Sequence, residues 1–221
     1  VDVPAMLAQL GVPADAPILV CGSTHAGEEI ILAEMCRRLR QRFPELFLIL
    51  VPRHFERSRE IVRELEARHV KLVRRSEINE QSKFAPGKLH CLLVNSTGEL
   101  RYFYEAATVV FIGKSLTAKG GQNPIEPCAL GKPVVCGPNM QNFADVVAIF
   151  RRHEAVAQVR DVGELERTIR DLLLAPTLRE RLGQNALKAV SENRGAVDRT
   201  VEMISTIIEH ADAPAHIPTL G

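Results

Sequence analysis

Two registers of apolar and polar positions alternate along this chain. Short aliphatic and β-branched runs, PILVCG (17–22), LFLILVP (46–52), VKLVRR (70–75), CLLVN (91–95), TVVFIG (108–113), PVVCGP (133–138) and EAVAQV (154–159), predict strands, the last a short edge strand. Longer stretches with helical spacing lie between them. EEIILAEMCRRLRQRF (28–43) puts Ile31, Met35 and Leu39 on one face. A charged segment over 56–68, GELRYFYEAA (98–107), residues 124–130 and NFADVVAIFRRH (142–153) predict further helices, with two or three more over 162–210. The apolar pattern lapses over 76–90, where Pro86-Gly87 signals a turn, and ADAPAHIPTLG (211–221) reads as a loose tail.

Strands with few polar residues, alternating with helices, predict a parallel sheet buried on both faces. The expected fold is therefore an open, doubly wound α/β domain spanning 1–210, with no internal repeat. Ligands of such sheets bind at the carboxyl ends of the strands, so the residues that follow each strand carry the most functional weight.

Composition narrows the picture mainly by exclusion. At 46% hydrophobic and 25% charged residues, the 221-residue chain has ordinary globular character. A formal charge of +1 gives no reason to expect nucleic acid as a partner. No apolar run approaches the roughly 18 residues that cross a bilayer, and no signal peptide is expected. Cys21, Cys36, Cys91, Cys128 and Cys136 are odd in number and lack a C-x-x-C spacing, which predicts reduced, mostly buried thiols and no metal site.

The strand ends hold the candidate chemistry. Gly22-Ser23-Thr24-His25-Ala26-Gly27-Glu28-Glu29 has the G-x-x-x-x-G spacing of a phosphate loop, but two glutamates stand where Lys and Ser/Thr belong. The segment reads either as a helix cap or as a helix start for one phosphate or a sugar carboxylate. Arg53-His54 is either an anion-binding pair or the solvated start of a basic helix. Ser96-Thr97-Gly98-Glu99-Leu100 offers a second helix start. After TVVFIG come Lys114-Ser115 and then GGQNPIEP (120–127). Here Asn123 suits an N-cap, Pro124 the first helical position, and Glu126 the third residue of a capping box. That account leaves Gly120-Gly121 unexplained. The alternative gives Glu126 to the cis-diol of a ribose and the glycines to close approach of a ligand.

GSTHAGEE, PRH, STGEL, FIGKSL, GGQNPIEP and GPNMQNF, in this order and at these strand ends, resemble the bacterial 3-deoxy-D-manno-octulosonic acid (Kdo) transferases, over about residues 16–205. Each motif alone occurs in many GT-B glycosyltransferases; the set of six is specific. The resemblance implies a Rossmann-like, C-terminal donor-binding half of a GT-B enzyme, without its N-terminal acceptor domain. It implies CMP-Kdo as donor, a lipid A precursor as acceptor, inversion, no cofactor or metal, and a place on the cytoplasmic face of the bacterial inner membrane. By position, Arg53 and His54 are expected on the donor phosphate, and Thr97, Gly98, Glu99 and Leu100 along the nucleotide. Asn123 and Glu126 are expected near ribose and phosphate, with Ser115, Gly120 and Gly121 in the same wall, and Ser23, Thr24 and Glu28 facing the cleft. The family's general base and membrane anchor lie in the N-terminal domain, so no residue here takes the catalytic role. Asn95-Ser96-Thr97 and Gln122 depart from the family pattern. Two competing readings are a GT-B enzyme using a UDP-sugar, such as a hexosamine transferase or epimerase, and a non-catalytic nucleotide-binding module.

Overall fold

The computed structural model describes residues 1–211, with side chains described through Asn193. The loose tail expected over 211–221 lies, past Ala211, outside the described residues. The chain begins with α1 (Val3–Gln9), capped by Asp2, whose carboxylate accepts the Ala5 N–H at 2.9 Å. The sequence reading leaves this helix unassigned. Its signal is Val3, Met6, Leu7 and Leu10, all buried and at helical spacing behind a capping Asp.

Seven strands follow: β1 (Ile18–Thr24), β2 (Phe47–Pro52), β3 (Leu72–Arg74), β4 (Cys91–Leu93), β5 (Val109–Ile112), β6 (Val134–Cys136) and β7 (Val156–Gln158). They form one sheet in the order β3-β4-β2-β1-β5-β6-β7, every pair parallel. β1 is central, its Val20 in register with Ile49 of β2 and Val110 of β5. β7 is an edge strand, as its short half-polar pattern predicts.

The helices are α2 (Glu28–Leu39), α3 (Ser58–Glu66), α4 (Leu100–Ala106), α5 (Ile125–Ala129), α6 (Ala144–Arg152), α7 (Val162–Leu174) and α8 (Pro176–Ala211). The strands' twofold alternation builds two cores. Val20, Ile49, Leu92, Val110 and Val134 pack with α1, α4, α5, α6 and the first half of α8. Leu19, Cys21, Leu48, Leu50, Phe111 and Val135 pack with α2, α3 and α7. Each such side chain contributes about 1.5–3 kcal/mol by leaving water, so the apolar runs fix the register. All five cysteines are buried and free, in three strands and two helices.

Apart from α1, the differences from expectation lie at element ends. The segments after β2 and β6 each open with a 3-10 turn, Phe55–Arg57 and Gln141–Phe143, before α3 and α6 begin. β1 ends in an irregularity: its register with β2 shifts between Gly22 and Thr24, and Ser23 takes a left-handed φ of 55°. Bulges and left-handed non-glycine residues of this kind concentrate at binding sites.

Candidate functional site

The turns after β1, β2, β4, β5 and β6 all lie on the carboxyl edge of the sheet. Side chains that sequence reading assigns to a cleft bind some of these turns to one another. Glu28 is fully buried, and its carboxylate accepts four backbone N–H groups: His25 at 2.9 Å, Lys114 at 2.7 Å, Ser115 at 2.9 Å and Leu116 at 3.0 Å. With no lone pair or surface to spare, Glu28 fastens the β5 turn onto the β1 turn and does not face the cleft. Thr24, also buried, donates its hydroxyl to Glu29 at 2.9 Å, so it too is withdrawn from the cleft. Ser115 is buried as well: its hydroxyl donates to the Ile112 carbonyl and accepts the Gly137 N–H at 2.8 Å, stitching β5 to the end of β6.

Gly120 and Gly121 serve the protein's own packing. Both have positive φ, 114° and 71°, and a Cβ on them would meet Asn142 Nδ2 at 2.9 Å and Met140 Sδ at 2.5 Å. The closeness they permit is to the segment after β6, not to open space. Gly98, at φ 80°, has nothing within 4 Å of where its Cβ would stand.

GGQNPIEP makes a turn but no capping box. α5 begins at Ile125, and the Asn123 Oδ1 accepts the Ile125 N–H at 2.9 Å, a side-chain turn spanning two residues. The half-buried Glu126 makes no hydrogen bond back to Asn123 or to any other described residue. It lies close enough to Tyr104 that its charge, added to burial, pushes the phenol's pKa up. The Tyr104 hydroxyl occupies the place of a side chain at Gly22, where a Cβ would come within 2.0 Å of it. Glu126 therefore sits beside the end of β1.

On the other flank of β1, the Arg53 N–H donates to the Thr24 carbonyl at 3.0 Å, and the His25 and His54 rings meet edge to face with centroids 5.7 Å apart. His25 Nδ1 lies 3.3 Å from the Ser23 carbonyl, an acceptor only, so Nδ1 is the donor in that contact. Burial pulls the His25 pKa down, and Lys114 and His54 push the same way against Ser23 and Glu28. Lys114 itself has a left-handed φ of 55°. His54 from the β2 turn and Lys114 from the β5 turn thus both come close to the His25 imidazole. Arg53, His54 and Thr97 are exposed, and Leu100 opens α4 half-buried against the core. Glu99 is engaged by Arg75 at 3.0 Å and by the Ser96 hydroxyl.

Residues 31–189 match the glycosyl transferases group 1 family. The chain belongs to this family. Among relatives, it is 34% identical to a 3-deoxy-D-manno-octulosonic acid transferase of Haemophilus influenzae over 88% of this chain and 45% of that protein. It is 31% identical to the Bordetella pertussis transferase of the same name, over 85% of this chain and 44% of that one. The chain thus spans about half the length of the curated relatives it matches. Among solved structures, the C-terminal CMP-Kdo binding domain of WaaA from Acinetobacter baumannii superposes with a TM-score of 0.76 at 30% identity, covering 85% of this chain and 96% of that domain. The parallel sheet is the Rossmann-like half of a GT-B glycosyltransferase, as the motif set implies.

For this group 1 glycosyl transferase, sequence reading quoted His25 and Lys114 within motifs without selecting them. The signal was available: Lys114 directly follows the glycine that ends TVVFIG, and His25 lies three residues past the glycine that ends PILVCG, where side chains meet whatever the sheet edge binds. Among the described residues, no helix is long and apolar enough to cross a membrane.

Proposed function

We propose that this chain binds CMP-Kdo as the donor half of a Kdo transferase acting on a lipid A precursor at the cytoplasmic face of the inner membrane. The observation that carries the reading is the likeness to the Acinetobacter baumannii CMP-Kdo binding domain, extending over 85% of this chain at 30% identity. The site's chemistry supports it. His54 meets the His25 ring edge to face, Lys114 lies close enough to lower the His25 pKa, and Arg53 stands next to His54 in the chain, a set of groups suited to a phosphate beside β1. Glu126, free of any cap, has both carboxylate oxygens available to ribose hydroxyls, with Asn123 beside it. Ser23, Thr97, Gly98 and Leu100 line the remaining approach, while Thr24, Glu28 and Ser115 hold the turns in place.

In the transfer, an acceptor hydroxyl oxygen attacks the anomeric carbon of Kdo. The bond from that carbon to the CMP phosphate oxygen breaks, and CMP leaves with the electron pair. Arg53 and its cationic neighbours stabilise the charge that develops on the departing phosphate. The acceptor's proton passes to a carboxylate that we place in the part of such enzymes this chain does not span. Attack opposite the leaving group inverts the anomeric centre. A thermal-shift titration tests the donor class: CMP is expected to raise the melting temperature more than UDP does. An equal or larger UDP response contradicts the reading and favours a UDP-sugar enzyme.

A further inference from the structure

Glu29 is a charged side chain that the donor reading does not use. It stands in the first turn of α2 beside Glu28, fully buried, and burial raises its pKa against the opposing pull of Arg57 and Thr24. Its Oε1 accepts the Thr24 hydroxyl at 2.9 Å and Arg57 Nη1 at 3.2 Å. Its Oε2 is buried with no hydrogen-bond partner among the described residues. A carboxylate that is half satisfied in the interior costs stability, so the cap of α2 does not account for it.

Both of its partners lead to one turn. Thr24, which gives its hydroxyl to Glu29, accepts the Arg53 N–H on its carbonyl at 3.0 Å. Arg57 closes the 3-10 turn that follows His54, and its side chain is 20% exposed against 1% for Glu29. Arg53 and His54 thus lie on a segment held at one end through Thr24 and at the other through Arg57, with Glu29 at the junction. Arg57 also lies 3.7 Å from the exposed Glu60, a weak second contact that cannot replace a buried partner.

We infer that Glu29 is a positioning residue for the donor site: its buried carboxylate fixes the turn that carries Arg53 and His54 by holding Thr24 and Arg57 together. The inference rests on the donor reading of that turn. It has a pH signature. Protonating Glu29 weakens its grip on Arg57, so donor affinity falls as pH drops through the raised pKa of Glu29. The groups facing Glu29 are Thr24 and Cys21 from β1, Glu28 beside it on α2, and Arg57 with Glu60 behind it. His25, on gaining a proton, attracts a phosphate more strongly and opposes the Glu29 effect, and it does so in every variant. The difference between wild type and Glu29→Gln isolates Glu29.

The test is CMP affinity by calorimetry for wild type, E29Q, R57Q and the double variant, well below their measured melting temperatures, with R53A as the control. Each single change is expected to weaken CMP by about tenfold, the scale of one charge-assisted hydrogen bond, and the double variant no further than the worse single. As pH falls from neutral toward the ordinary carboxylate range, wild-type affinity moves toward that of E29Q. If E29Q fails to fold, R57Q at its partly exposed position carries the test. Wild-type affinity in both E29Q and R57Q, with R53A weakened, overturns the inference alone. CMP affinity indifferent to R53A overturns the donor reading, and the inference with it.

Discussion

The carboxylate of Glu28 accepts the backbone N–H of Ser115, a residue 87 positions away, at 2.9 Å inside the protein. With the N–H groups of His25, Lys114 and Leu116, it joins the turns after β1 and β5 into one body. Replacing Glu28 with Ala strands four N–H groups, each costing about 1–3 kcal/mol where it stays dry. Allowing for relaxation and water entry, the expected loss is about 3–5 kcal/mol, read as a shifted midpoint in denaturant unfolding. A loss below about 1 kcal/mol, the size of an ordinary surface change, would show that the clamp is not formed.

Gly22 and Tyr104 share one space. A Cβ on residue 22 would stand 2.0 Å from the Tyr104 hydroxyl, so Gly22→Ala forces the buried ring aside at about 1–3 kcal/mol. Removing the hydroxyl relieves much of the collision. The Gly22→Ala cost, measured by thermal unfolding, should shrink in a Tyr104→Phe background. Additive costs would place the ring elsewhere.

His25 titrates below the ordinary histidine range, because burial and then Lys114 and His54 disfavour its charged form. The unfolded chain therefore binds that proton more readily than the folded one. Through this group, stability is full above the unfolded pKa and declines as pH falls below about 6.5. An NMR titration of the imidazole checks the direction. Bound CMP, by bringing a phosphate to the ring, should move the His25 midpoint upward, whereas a phosphate bound elsewhere leaves it unchanged.

Sequence pattern and structure agree where the determinant is local. PILVCG and TVVFIG are apolar on both sides, so they occupy the centre of a sheet covered by helices on both faces. EAVAQV is half polar and forms the edge. The helix Val3–Gln9 carries its own cap and apolar spacing and was legible too, but its two turns fall before the first strand. Polar strand-end residues are a different matter. Arg53 and His54 project from the end of β2, whereas Thr24, Glu28 and Ser115 look equally available in sequence and are consumed by partners. For Glu28 and Ser115 those partners lie mostly in other turns of the fold. Nothing in the string GSTHAGEE tells that its first glutamate meets Lys114, Ser115 and Leu116. The glycines of GGQNPIEP look like room for a ligand in sequence for the same reason, since Met140 and Asn142 arrive from beyond β6.

Glu126 is the residue on which the proposed donor site turns, because a cap and a nucleotide make different demands on it. Calorimetric titration of CMP into wild type and Glu126→Ala, with melting temperatures recorded alongside, separates the two most directly. The expected result is CMP affinity reduced by about tenfold or more with the melting temperature nearly unchanged. Unchanged CMP affinity with about 1 kcal/mol of stability lost would make Glu126 a helix cap and contradict the account.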